Sequence, residues 1–242
     1  MKEHIYTIPI NDAFDTDCEC PICHFIRNEE SKLMDYTLGA SMMEPDERQR
    51  SNASGYCKHH FSMLLEQPNK LSLALILESH LAEIRNCIEN NEAVFTNTKK
   101  SFFKKDNSTE DAFKKIEKFN NGCVICDKLN DIEEKFIDNI IELYKKEDEF
   151  KTKFIDSKGF CIPHFTALIK YAYKVLSGDK LTEFYKIIFE IEKENLARVQ
   201  EDITWFTKKF DFRFAKDDWK NSRDAVPRTT EKVIGYVKKD EK

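Results

Sequence analysis

Three cysteines and one histidine occur twice along this chain of 242 residues, in the same order and at nearly the same spacing. The first set is Cys20, Cys23, Cys57 and His60; the second is Cys123, Cys126, Cys161 and His164. The two Cys-x-x-Cys pairs lie 103 residues apart (positions 20 and 123, 23 and 126), and the two Cys-x-x-His pairs lie 104 apart (57 and 161, 60 and 164). Thiolate and imidazole are the donors that a zinc ion takes in a closed tetrahedron. Cys-x-x-Cys at a turn or helix start sends two sulfurs to one point. Cys-x-x-His at a helix amino terminus does the same from a second segment, where the helix dipole favours an anionic sulfur. The repeat makes incidental core cysteines a poor account of the eight residues. Two Zn2+ ions per chain are expected, with each copy supplying one Cys3His site that staples two helix starts together. An iron–sulfur cluster and a dithiol redox pair use the same residue types and stay open as minor alternatives.

Aligning the copies sorts the neighbouring residues. His59 stands opposite Pro163 and His60 opposite His164, so His60 is the expected ligand. Cys18 aligns with Asn121 and Cys87 has no counterpart, which leaves both outside the sites. Cys87 beside Ile84 and Ile88 is expected to be a buried thiol, whereas Cys18, two residues before Cys20, is placed to exchange into a site. His24 and Asp127 each follow a second cysteine, and are expected either to support a ligand or to lie solvated.

Helices must position these ligands. Six Gly and six Pro are too few for an all-β chain, and charged residues at 34% suit amphipathic helices with wet outer faces. The pattern predicts an extended lead-in over 1–19, interrupted by Pro9, then a helix from Pro21 to Met43 ended by Glu44-Pro45-Asp46, then a polar loop to Ser54. A short helix follows from Cys57 with Phe61, Leu64 and Leu65. A longer one carries Leu73, Leu77, Leu81, Ile84 and Ile88 as a single apolar stripe. Residues 97–110 read as a lysine-rich solvated link, and a short helix with Phe113, Ile116 and Phe119 follows. The second copy repeats the order: a helix from Val124 to Lys146, a charged break to Lys158, a helix from Cys161 to Leu176, and a long helix with Leu196, Val199, Ile203, Phe206 and Phe210. After Asp211 comes an irregular tail, with a short helix past Pro227. The fold class is all-α: a helical bundle of two related zinc-stapled repeats, 1–100 and 101–210, with a tail over 211–242 pinned to the bundle by its aromatic residues.

The order Cys20-Pro21-Ile22-Cys23, Met43-Glu44-Pro45-Asp46-Glu47-Arg48, Gly55-Tyr56-Cys57-Lys58-His59-His60-Phe61 resembles an uncharacterised family of bacterial proteins common in clostridia. The second Gly159-Phe160-Cys161 with His164-Phe165, and the ending from Trp205 to Phe214, also fit that family over nearly the whole chain. The resemblance implies the Cys/His sites and draws attention to the Met42–Arg48 loop, and it implies no activity. Some members carry a transporter substrate-binding label, at odds with the absence here of an export signal at the amino terminus.

The sequence contains no Gly-rich phosphate loop, no His-Glu-x-x-His and no serine elbow, and four protein ligands leave a zinc ion no open position for water. The expected role is therefore a non-enzymatic binding module with a protein partner. Thiol-based redox or metal sensing, or a metalloenzyme, is the second reading, motivated by Cys18. A nucleic-acid binder is the third: the tail from Lys208 has 11 Lys/Arg against 7 Asp/Glu, but the whole chain has a net charge of −5. No apolar stretch is long enough to span a membrane. With no export signal and eight cysteines kept reduced, a cytoplasmic location is expected.

Overall fold

The computed structural model describes residues 4–96 and 107–236. Every regular element among them is helical: α1 (His4–Asp15), α2 (Pro21–Leu38), α3 (Pro45–Ser54), α4 (Lys58–Glu66), α5 (Lys70–Thr96), α6 (Asn107–Asn121), α7 (Val124–Lys146), α8 (Asp148–Asp156), α9 (Ile162–Val175), α10 (Gly178–Lys208) and α11 (Ala225–Ile234), with a 3-10 turn at Ala40–Met43. None of these helices is long and apolar enough to cross a membrane. The all-α expectation holds. The chain folds as two compact units, Met1–Asn28 with Ile132–Lys242, and Glu29–Asp131. The units interleave the sequence copies, since the divisions fall inside α2 and α7.

In the first unit the core is built on aromatic rings. Phe150, Phe154, Phe160 and Phe184 have essentially no exposed surface. Burying each contributes about 1.5–3 kcal/mol on the transfer scale. Phe14 meets Phe150 edge-on at 5.0 Å, and Tyr144 meets Phe184 at 5.1 Å. Phe14 comes from a segment expected to be extended, which forms α1 instead. Pro9 forfeits one ladder hydrogen bond, but Ile10, Ala13 and Phe14, at helical spacing, are all buried and outweigh that loss. The charged break before Lys158 is likewise a helix, α8. Its Phe150 and Phe154, four residues apart, reach the core, and Asp148 and Glu149 sit favourably in its first turn.

The second unit corrects two more expectations. The polar stretch to Ser54 is α3, because Pro45 at its first position starts a helix rather than merely ending one. Only Ser51 of that helix is buried, so polar contacts hold it: Arg48 to Ser79 Oγ at 3.2 Å and Lys128 to Glu47 at 2.6 Å. On α5 the buried residues are Ser72, Leu73, Ile76, His80 and Asn91, which share only Leu73 with the predicted stripe. Small Ser72 and the bond between His80 Nδ1 and the Asn52 carbonyl, 2.8 Å, set that face against its neighbours. Leu77, Leu81 and Ile88 are left 39%, 65% and 53% exposed. Cys87 is half-buried rather than enclosed, with its Sγ 3.7 Å from the Lys115 carbonyl. The lysine pairs at 99–100 and 104–105 lie outside the described residues.

The tail is only partly fastened by rings. Trp219 packs on Phe206 at 5.9 Å, but Phe210 and Phe212 are largely exposed. Lys209 does more of the fastening: its buried ammonium donates to the carbonyls of Phe214, Ala215 and Asp217.

Candidate metal centres

The eight sequence-predicted ligands gather into two clusters, one in each unit, but not by sequence copy. Cys20 and Cys23 meet Cys161 and His164; Cys57 and His60 meet Cys123 and Cys126. Within either group all four donor atoms lie within 4.8 Å of one another. This corrects the expectation that each copy closes its own site. The reason lies in helix lengths. Between the half-sites of the first copy α2 runs 18 residues and α3 only 10. At about 1.5 Å per residue that is roughly 27 Å against 15 Å. In the second copy α7 has 23 residues and α8 has 9. The segment expected to be a free loop is a rigid helix of a different length from the one before it, so the two do not cancel in span.

The geometry suits a tetrahedral ion. In the first cluster the His164 Nδ1 lies 3.4, 3.3 and 3.1 Å from the sulfurs of Cys20, Cys23 and Cys161, and Cys23 and Cys161 are 3.5 Å apart. In the second, His60 Nδ1 lies 3.2, 3.2 and 3.4 Å from Cys57, Cys123 and Cys126, and Cys57 to Cys126 is 3.8 Å. With zinc bonds of 2.0–2.3 Å, tetrahedron edges run to about 3.5–3.8 Å. Three sulfurs and one imidazole nitrogen are a donor set for zinc, and the two clusters could each hold one metal ion.

Local backbone builds each half-site. Cys57 and Cys161 are the N-caps of α4 and α9, which leaves His60 and His164 in the first turns. Gly55 and Gly159 precede them with φ of 64° and 73°, the left-handed region. A side chain at Gly55 would stand 2.6 Å from His80 Nε2, and one at Gly159 would stand 2.8 Å from Glu192 Oε2. The glycine of the repeated motif is thus required twice over, by angle and by space.

Two carboxylates complete the clusters. His60 Nε2 lies 3.2 Å from Glu30 Oε1, and His164 Nε2 lies 3.4 Å from Glu133 Oε1. Each imidazole can then present Nδ1 to the sulfurs and donate its other N–H to a carboxylate, which fixes the tautomer. Sequence reasoning missed both residues. Their signal was present: Glu30 and Glu133 each follow the second cysteine by seven residues and stand 103 apart, the offset of the cysteine pairs. Glu30→Gln and Glu133→Gln are each expected to weaken the affected cluster's metal affinity by about 10–100-fold. Competition with a chromogenic chelator measures this, and the other cluster should be unchanged.

Charge follows the geometry. Burial opposes ionisation of the Cys123 thiol, but hydrogen bonding to His60 overrides it and holds the group down at about 6. Burial also works against protonated His60, yet Cys123 and Glu30 together lift it to about 10. Cys126 is pushed upward by burial and by its sulfur neighbours. A metal must displace these protons to take the sulfurs, so binding releases protons and weakens as pH falls.

The two clusters are closed differently. In the second, the Val124 N–H donates to the Gly55 carbonyl at 3.2 Å, joining the half-sites directly. The residue equivalent to Val124 is Pro21, which has no N–H to give. In the first cluster Lys232 of α11 supplies the link: its ammonium, 1% exposed, donates to the carbonyls of Glu19 at 2.8 Å, Lys158 at 2.5 Å and Phe160 at 3.3 Å. Beside it Arg198 grips Glu19 through two bonds of 3.0 and 2.6 Å. Gly235, itself buried, lies against the sulfurs: a Cβ there would stand 3.6 Å from Cys161 Sγ and 3.8 Å from Cys23 Sγ, in ordinary contact.

The remaining candidates stand apart. His59 faces Glu30 at 3.3 Å and not the sulfurs. His24 pairs with Asn28, and Asp127 is exposed. Cys18 is half-buried and joins neither cluster; burial pushes its thiol up to about 11, which leaves it protonated. In the Met42–Arg48 segment, Glu44 accepts from Tyr36, Glu47 from Lys128, and Arg48 donates to Ser79, so these groups fasten α3 to its own unit.

A model of a family of unknown function, DUF6062, matches residues 1–240. No curated protein and no solved structure matches the chain.

Proposed function

Since the chain belongs to DUF6062, a family of unknown function, we propose its role from the clusters themselves: a zinc-stapled helical interaction module, with two structural Cys3His sites and no catalytic centre. The observation that carries this reading is the completeness of each donor set. Three sulfurs and one imidazole fill a zinc ion's four positions, and Glu30 and Glu133 are engaged with the imidazoles rather than free to move protons. Zinc would supply a rigid cross-link between helix starts. Zinc is favoured over an iron–sulfur cluster because every ligand set includes an imidazole and the four donors crowd to single-ion distances.

The partner we propose is a protein, and the surface is the apolar side of α5 left by Leu77, Leu81 and Ile88. A net charge of −5 opposes a polyanion, and reduced thiolates suit the cytoplasm. Purified without chelators, the chain should carry two zinc ions. A photoreactive residue at Leu81 should capture a protein in cells. A metal-free chain contradicts the structural reading, and a nuclease-sensitive adduct would transfer the surface to nucleic acid.

A further inference from the structure

The two clusters share one donor set and differ in access. Cys20, Cys23 and Cys161 are all buried, beneath Gly235 and the fully buried Lys232. Of the second cluster's cysteines only Cys123 is buried, and Cys57 and Cys126 are half-exposed. Their sulfurs are 3.8 Å apart and come from segments 69 residues apart in sequence. Cys57 caps α4 and Cys126 lies in the first turn of α7, so the starts of two helices bring this partly exposed pair together.

We infer that the second cluster is a thiol switch: hydrogen peroxide oxidises Cys57 and Cys126 to a disulfide and frees the metal from that cluster alone. The inference rests on the metal-binding reading above. In the first step one of the two thiolates attacks the peroxide, an S–O bond forms, the O–O bond breaks, and the departing hydroxide takes a proton to become water. In the second, the other thiolate attacks the sulfur of that sulfenic acid, the S–S bond forms, the S–O bond breaks, and a second hydroxide leaves as water. Two thiolates, one peroxide and two protons give one disulfide and two waters. The peroxide is reduced and the two sulfurs are oxidised. Closing from 3.8 Å to a bond of about 2 Å removes both thiolate charges, and with them two of the metal's ligands. The ion, left with Cys123 and His60, then dissociates. The switch would act on the Glu29–Asp131 unit, which carries the exposed side of α5.

The test uses the full chain as isolated with its metal. Metal content is measured first, hydrogen peroxide is then added, and zinc release is followed with a chromogenic chelator while peptide mapping locates disulfides. One ion per chain should leave on the order of tenfold faster than the other, together with a single Cys57–Cys126 bridge, as follows from thiolate access. Thiol reductant plus zinc should restore the second ion. Release of both ions at one rate, retention of both, or a bridge among Cys20, Cys23 and Cys161 would overturn the switch and leave the metal reading intact. A chain isolated without metal overturns both.

Discussion

Stripping both metals from the purified chain with a strong chelator is expected to lower its midpoint of thermal unfolding by about 20 °C or more. Structural zinc contributes on the order of 10 kcal/mol per site, and for a chain of this size each kcal/mol moves the midpoint by about 2–4 °C. The loss should not be even. The first unit retains a core of buried Phe150, Phe154, Phe160 and Phe184, which persists without a metal. Among its described residues the Glu29–Asp131 unit has no fully buried phenylalanine, and its apolar anchors include Met34, Tyr56, Leu64, Ile76 and Ile125. Amide exchange in the stripped chain should therefore rise first across α3, α4 and α5, with α8 and α10 keeping their protection. A chelated chain whose midpoint moves by only a degree or two would mean that packing alone holds both units.

The second large effect separates the observed pairing from the one the sequence copies imply. Cys20→Ser with His164→Ala removes two ligands from one cluster, and the variant should keep one zinc ion. Cys20→Ser with His60→Ala removes one ligand from each cluster, and both affinities should fall. The first double variant should retain cooperative melting of the Glu29–Asp131 unit, whereas the second should weaken both units. If pairing followed the sequence copies, the outcomes would exchange. Metal counting by native mass spectrometry on the two variants decides the matter without knowledge of any partner.

The eight clustered residues were legible in the sequence and their grouping was not, for a definite reason. Two copies of one pattern contain the same four residue types whether each copy closes on itself or exchanges halves. What breaks the tie is the helicity of α3 and α8, and both were masked by composition. The α3 stretch is almost wholly polar, and α8 shows apolar residues only at Phe150, Phe154 and Ile155 amid charge. Helix α1 was hidden behind Pro9, although Ile10, Ala13 and Phe14 already carried the helical interval. Glu30 and Glu133 were recoverable by extending the comparison of copies seven residues beyond the cysteines. The link through Lys232 was not, because nothing local to a lysine in a basic tail marks it for the interior. Its role becomes clear only when Pro21 is seen to lack the N–H that Val124 offers.

The most direct measurement is a cadmium–proton correlation spectrum of the chain loaded with an NMR-active cadmium isotope in place of zinc. One cadmium resonance should couple to the β-protons of Cys20, Cys23 and Cys161, and the other to those of Cys57, Cys123 and Cys126. A resonance coupled to Cys20, Cys23 and Cys57 together would contradict the exchanged pairing, and two helical copies each closed on its own ion would have to replace it.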